Sequence, residues 1–190
     1  YLYPVTVNSS LSFTMNRSPQ SHWDKTNASF NFEKPAFSDY TRLIINKHIP
    51  KTDSGSVIEI GCYPGRYLSI FGDLGYTLNG IDLTTRTLET KKNLEINGYK
   101  VGEFAVEDFL KIDNTKKYTI VTSFGFIEHF ENYREIINRH CTLVAPGGYI
   151  VIGSPNMRYG IQYIFHRLFN NKSLKMHVLE SMKPQIWKSQ

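Results

Sequence analysis

The residues best suited to chemistry in this sequence follow its apolar runs. Val57-Ile58-Glu59-Ile60-Gly61-Cys62-Tyr63-Pro64-Gly65 is a β-branched run that carries one acid and breaks into a loop with glycines four apart. Val57, Ile58 and Ile60 suit a parallel strand buried on both faces, and Gly61 and Gly65 let the backbone turn sharply against a ligand. Asp82 lies 21 residues beyond Gly61, about where a doubly wound fold sets a carboxylate to accept hydrogen bonds from two ribose hydroxyls. Asp108 is followed by Phe109. That pairing suits an adenine, with the carboxylate on the exocyclic amine and the ring on the π face. Together these groups describe an adenosine site.

The first loop also excludes ligands. A dinucleotide fold needs G-x-G-x-x-G to bring a helix N-terminus to the pyrophosphate, and position 63 is Tyr. A P-loop needs Gly-Lys-Ser/Thr, and Gly65 is followed by Arg66-Tyr67. Neither pyrophosphate reader fits.

Such residues need a scaffold that delivers them to one edge. From the turn Thr52-Asp53-Ser54-Gly55 onward, strand-like and helix-like stretches alternate, the signature of a doubly wound parallel sheet. The predicted strands are 57–61, 77–82, about 102–106, 118–123 and 149–153, the last entered through a turn at Pro146-Gly147-Gly148. Between them lie helices with Leu68, Phe71 and Leu74, with Leu88 and Leu94 behind a Thr84 or Thr85 cap, and with Tyr133, Ile136 and Ile137 facing inward. Ahead of the sheet, Phe37, Tyr40, Leu43 and Ile44 recur at helical spacing up to Ile49-Pro50. The expected organisation is an irregular Ser/Asn/Thr-rich lead-in over 1–34, a ligand-binding core over 35–156 and a helical segment over 157–190.

Composition agrees with a folded globule of one domain. Apolar content is 41% and aromatic content 14%, spread along 190 residues. The net charge of +5 comes from dispersed residues without the aromatic interleaving of a single-strand groove, so a solvated surface is favoured over nucleic-acid binding. No apolar run approaches the ~20 residues that cross a bilayer. Two cysteines without metal-ligand spacing read as reduced thiols, and a cytoplasmic location is expected.

Val57-Ile-Glu-Ile-Gly-Cys-x-x-Gly-Arg66 resembles the first motif of class I S-adenosylmethionine-dependent methyltransferases of the small-molecule branch. The resemblance runs on, in the family's order, through Gly80-Ile81-Asp82, Val106-Glu107-Asp108-Phe109, the stretch Val121 to Phe130, and Leu143 to Gly148. It implies a Rossmann-like α/β fold and S-adenosyl-L-methionine as cofactor. Gly61, Cys62 and Gly65 would form the loop beneath its methionine part, with Glu59 steadying the loop or the amino group. Asp82 would hold the ribose, Leu83 would pack on the adenine, Asp108 and Phe109 would complete the base pocket, and Ser123 and Phe124 would flank the sulfonium. The Cys62 side chain itself reads most simply as a small packing group.

The sequence departs from the family in three places. Tyr63 stands at the middle glycine of the usual E-x-G-x-G-x-G, Thr119 replaces an acid often found early in strand four, and no candidates for the last two strands of the seven-stranded sheet precede Gln190. A core truncated before the last strand hairpin is therefore expected. After strand four the sequence reads Ser123-Phe124-Gly125-Phe126 rather than Asn/Asp-Pro-Pro-aromatic, which the resemblance associates with methylated bases and glutamine. A small-molecule acceptor, methylated at oxygen, is the expectation. Two other classes stay open, a non-catalytic binding module and, less well supported, a nicotinamide-dependent oxidoreductase.

His129, beside Glu128, is the candidate base for an acceptor that must lose a proton. The competing reading is a structural histidine at the entry to the next helix. The resemblance also implies a further possibility, that Glu128 and His129 help bind a divalent metal as similar pairs do in some O-methyltransferases, but two metal-ligating side chains do not define a site and no metal is assigned. His22-Trp23 is as readily a helix contact as a cover for the cofactor, and His166 falls in an amphipathic aromatic stretch that suits packing. Residues 154–180 are the expected acceptor-selecting segment.

Overall fold

Val57, Ile58 and Ile60 are at most 6% exposed because β1 (Ser56–Ile60) runs through the middle of a sheet. The computed structural model describes residues 31–113, 115–155, 157, 168 and 175–187. His22-Trp23 and His166, and nearly all of the lead-in, lie outside them. The other strands are β2 (Thr77–Asp82), β3 (Val101–Val106), β4 (Tyr118–Phe124) and β5 (Val144–Gly153). Their order is β3-β2-β1-β4-β5, with every neighbouring pair parallel. The chain winds outward from β1 through β2 to β3, then crosses to β4 and winds the other way. Ile60 pairs with Ile81 on one side and Ser123 on the other, so the ends of β1, β2 and β4 share one edge at the reversal.

Side-chain alternation along β1 divides the core in two. Val57 joins Ile45, Leu68, Phe71, Leu78 and Leu94 on the face covered by α1 (Tyr40–His48), α2 (Leu68–Asp73) and α3 (Thr87–Ile96). Ile58 and Ile60 join Val121, Ile127, Ile136 and Ile137 under α4 (Tyr133–Leu143). Each fully buried aliphatic side chain contributes about 2–3 kcal/mol of transfer free energy. Val178 and Trp187 pack against this second cluster, and Trp187, on the short α5 (Pro184–Trp187), donates its Nε1–H to the Ser181 carbonyl at 2.7 Å. The described residues of 175–187 are thereby docked on the α4 face. No strand follows β5 among the described residues.

The structure rotates two helices away from the expected faces. On α1, Phe37 just ahead of it and Tyr40, Leu43 and Ile44 upon it are exposed, whereas Arg42, Ile45 and Ile49 are buried. The cause is polar. Asp39 caps the helix by accepting from Thr41 N and Arg42 N, and the Arg42 guanidinium reaches Asp73 at 2.6 Å and the Pro35 carbonyl, turning the 42/45/49 face inward. On α3, Leu88 is exposed and Thr87, Thr90 and Leu94 face the core. The expected threonine cap sits one turn ahead of the helix: Thr84 Oγ1 accepts the Arg86 N–H at 3.4 Å, Arg86 itself precedes the helix without a side-chain cap, and Thr87 Oγ1 donates to the Thr84 carbonyl at 2.6 Å. Strand β5 begins five residues earlier than the turn residues suggested, because Pro146-Gly147-Gly148 forms a bulge inside it, between the Tyr118–Val144 and Ile120–Tyr149 pairs.

Candidate functional site

Asp82 ends β2 and ties two loops together. Its Oδ2 accepts the Tyr63 N–H at 3.1 Å and its Oδ1 accepts the Thr84 N–H at 3.1 Å. A carboxylate offers about four lone-pair sites, and these bonds use one on each oxygen. Tyr63 thus serves through its backbone N–H, while its ring lies under the Arg86 guanidinium, 4.7 Å from the centroid. Arg86 in turn donates to Glu89 at 2.9 Å.

Glu59 points to the α1–α3 face, is 4% exposed and accepts the backbone N–H of Leu68 at the start of α2. Burial, and secondarily the charge of Asp82, push its carboxyl well above the usual carboxylate range, with the Leu68 bond opposing. Its Oε2 is buried with no hydrogen-bond partner among the described residues. A buried orphan acceptor beside a second carboxylate is a place for a donor, and a cationic one best.

Gly61 and Gly65 both have positive φ, +72° and +83°. Gly61 N and Cys62 N both donate to the Ile81 carbonyl, and the Phe126 ring sits where a Cβ on Gly61 would go, 2.9 Å from it. Cys62 turns its thiol into the core against Gly80, so it offers the loop its backbone and not its sulfur. Leu83 is 47% exposed at the exit of β2. Asp108 is partly buried, accepts the Leu110 N–H at 3.0 Å and lies 3.5 Å from Lys111 Nζ.

Phe109 and Ser123 are placed differently from the rest. Phe109 is 4% exposed, edge-on to Phe126 and to His140 in the core under α4. Ser123 is 1% exposed, with its hydroxyl 3.1 Å from His140 Nε2. Phe124, by contrast, stands at the edge, its ring 4.4 Å from that of Tyr67. Residues 59–65, 82–83, 108 and 124 therefore gather at the strand ends, whereas the side chains of Phe109 and Ser123 are turned toward α4.

His140 escaped the sequence reading because it lies mid-helix with no motif around it. Its Nδ1 is 2.7 Å from the Ile136 carbonyl, which only accepts, so Nδ1 carries the proton. Burial lowers its pKa to about 4, so the ring is neutral and Nε2 accepts the Ser123 O–H. Between pH 4 and 6.5 the unfolded chain takes a proton that the folded chain refuses. This contribution is complete above about pH 6.5 and falls as the pH drops, by ~1.4 kcal/mol for each pH unit and about 3 kcal/mol across the window. Glu59 and Glu128, whose carboxyls are raised, slope the opposite way. The difference between wild type and His140→Gln in urea melts at pH 7 and pH 5 isolates the histidine. The variant is expected to lose less stability on acidification than the wild type; equal losses would contradict the assignment.

His129 is 4% exposed in the 3-10 turn Ile127–His129 after β4, and its Nδ1 lies 3.1 Å from the Met176 carbonyl. That carbonyl again fixes the proton on Nδ1 and leaves Nε2 as a Lewis base. A separate basin of about 710 Å³ between α1 and Tyr149 includes none of the site residues.

A parallel sheet reversing at β1/β4, with two acids and a glycine loop at the reversal, defines a Rossmann-like α/β domain. Residues 32–185 match the methyltransferase domain family, and the chain belongs to that family. It is similar to ubiquinone biosynthesis O-methyltransferases, 27% identical over 143 residues to that of Actinobacillus pleuropneumoniae serotype 5b, covering 70% of this chain and 59% of the relative. To that of Glaesserella parasuis it is 31% identical over 106 residues, covering 53% and 45%. Similar folds occur in YjhP from E. coli (TM-score 0.59, 18% identity, 74% of this chain and 59% of that one). They occur also in a SAM-dependent methyltransferase from Thiobacillus denitrificans crystallised with S-adenosyl-L-homocysteine (TM-score 0.57, 20% identity, 71% and 55%). The chain thus spans less than two thirds of the relatives it matches. No helix among the described residues is long and apolar enough to cross a membrane.

Proposed function

We propose that the protein transfers a methyl group from S-adenosyl-L-methionine to an oxygen of a small-molecule acceptor. The observation that carries this reading is the pair of acids at the ends of β1 and β2, one anchoring both loops and the other holding an orphan buried oxygen. These residues fit the cofactor. Asp82 would accept from the ribose hydroxyls, and Glu59 would meet the amino-acid ammonium, whose charge would return its carboxyl to the ionised form. Gly61 and Gly65 would pass beneath the methionine part, Leu83 and Asp108 would border the adenine, and Phe124 would stand beside the sulfonium. Phe109 would support the base pocket from behind, and Ser123, committed to His140, would set the end of β4. When bound, the cofactor supplies an electrophilic methyl group on a sulfonium, so alignment of acceptor and methyl provides much of the rate. His129 Nε2 can take the acceptor's proton directly or hold a cation that acidifies it.

Oxygen as the acceptor atom is supported by the two relatives above, which are named O-methyltransferases. Incubation with methyl-labelled S-adenosylmethionine and a panel of hydroxylated compounds and matched amines tests it. Label is expected in methyl ethers or esters; label in the amines alone would overturn the choice of oxygen. The second reading, a non-catalytic binding module, rests on Tyr63 and predicts cofactor binding that is absent or goes without turnover for any acceptor.

A further inference from the structure

The basin between α1 and Tyr149 lies at the opposite edge of the sheet from the adenosine crevice. Tyr149 pairs with Ile120, and Ile120 with Val57, so the basin opens where β1 and β4 begin, whereas the crevice opens where they end. Its volume of about 710 Å³ falls within the roughly 300–1,000 Å³ of small-molecule sites. Methyl transfer gives its lining residues nothing to do.

Three features give the basin chemical direction. Arg42 lines it with a side chain only 8% exposed, and two of the guanidinium nitrogens are committed, Nη2 to Asp73 at 2.6 Å and Nη1 to the Pro35 carbonyl at 3.4 Å. The third, Nε, is buried with no hydrogen-bond partner among the described residues, a costly state for the N–H of a cation unless an acceptor arrives. Lys47, in the last turn of α1, and Lys51, just beyond it, line the same cavity and add two positive charges to an Arg42–Asp73 pair that is itself neutral. The rings of Phe37 and Tyr149 face each other across the charge pattern as lining groups, 85% and 41% exposed, and the Arg42 Cζ lies 4.8 Å from the Phe37 centroid.

We propose that this basin binds a small phosphate monoester carrying a flat ring. A phosphate monoester holds about −1.5 to −2 charges near neutral pH, which the two lysines match, whereas the single charge of a carboxylate would leave one lysine unmatched. Its oxygens accept, as the Arg42 Nε–H requires, and Lys47 and Lys51 supply charge-assisted donors around them. Phe37 and Tyr149 gain from covering by a ring in edge or offset contact. The Arg42–Asp73 bond ties α1 to the end of α2, so the orphan N–H is held in place before any ligand arrives. The site does not rest on the methyl-transfer reading.

The test is calorimetric titration of the full chain with 1-naphthyl phosphate, and with its two halves, inorganic phosphate and 1-naphthol. One naphthyl phosphate per chain is expected, saturating below roughly 1 mM, with each half at least about 10-fold weaker. Lys47→Gln combined with Lys51→Gln, both at exposed positions, should weaken the probe by at least about 10-fold, the loss expected when charge-assisted bonds go. Tyr149→Thr should weaken it by about 3–10-fold through the lost ring contact. Lys92→Gln, at an exposed lysine outside the basin, should leave it unchanged. Absence of saturable binding, 1-naphthol binding as tightly as the probe, or affinity indifferent to the lysine pair would overturn the proposal. Saturating S-adenosylhomocysteine should leave the probe's affinity intact; displacement would place the probe in the crevice and overturn the site, while the same titrations report separately whether the crevice binds its own ligand.

Discussion

Asp82→Ala is expected to weaken S-adenosylhomocysteine binding by at least about 100-fold while leaving the chain folded. Hydrogen bonds to a charged group contribute about 1.5–3 kcal/mol each, so two ribose bonds account for roughly 3–6 kcal/mol, or two to four decades in Kd. The substitution also releases the Tyr63 and Thr84 N–H groups, which pre-set both loops. The stability loss should be small by comparison. The Asp82 charge also pushes the Glu59 carboxyl and the Cys62 thiol upward, so its removal relieves a repulsion as it breaks two bonds. Calorimetric titration together with a thermal melt separates the two effects. Equal losses in both, or undiminished binding, would contradict a ribose-holding role.

Gly65→Val is expected to carry a large stability loss, about 3 kcal/mol, with a fall in Tm of roughly 6–12 °C for a domain of this size. Gly65 has φ +83°, where an L residue costs about 1–2 kcal/mol and a β-branched one more. A Cβ there would lie 2.5 Å from Thr90 Cγ2 on α3, a contact that neither the helix nor the loop can keep. Gly98→Ala is the internal control. Its φ is also positive, +80°, yet nothing lies within 4 Å of the added carbon, so it should cost only about 1 kcal/mol. If the two variants melt alike, the packing of Gly65 on α3 is not what holds the loop.

What could be seen in the sequence and what could not divides along physical lines. The strands were legible because β-branched runs such as Val57–Ile60 and Ile120–Val121 are buried on both faces, and a local pattern suffices to mark them. Their ends were legible too, since Gly61, Asp82 and Asp108 follow directly. The buried faces of α1 and α3 were not. Arg42 is drawn inward by Asp73, 31 residues away, and Thr90 is drawn inward by the close approach of Gly65, so apolar spacing pointed to the wrong stripe. The direction of the Phe109 ring likewise depends on His140 and Phe126, which reach it only in three dimensions. His177 joins Glu128 and His129 through a docking that no local spacing encodes.

The central claim is that the crevice at the ends of β1 and β2 is built for an adenosine without a pyrophosphate. Calorimetric titration of the folded chain with S-adenosylhomocysteine, and in parallel with NAD⁺, tests it most directly. One S-adenosylhomocysteine per chain and no binding of NAD⁺ is the predicted result. Binding of NAD⁺, or a flat S-adenosylhomocysteine titration of well-folded protein, would contradict it.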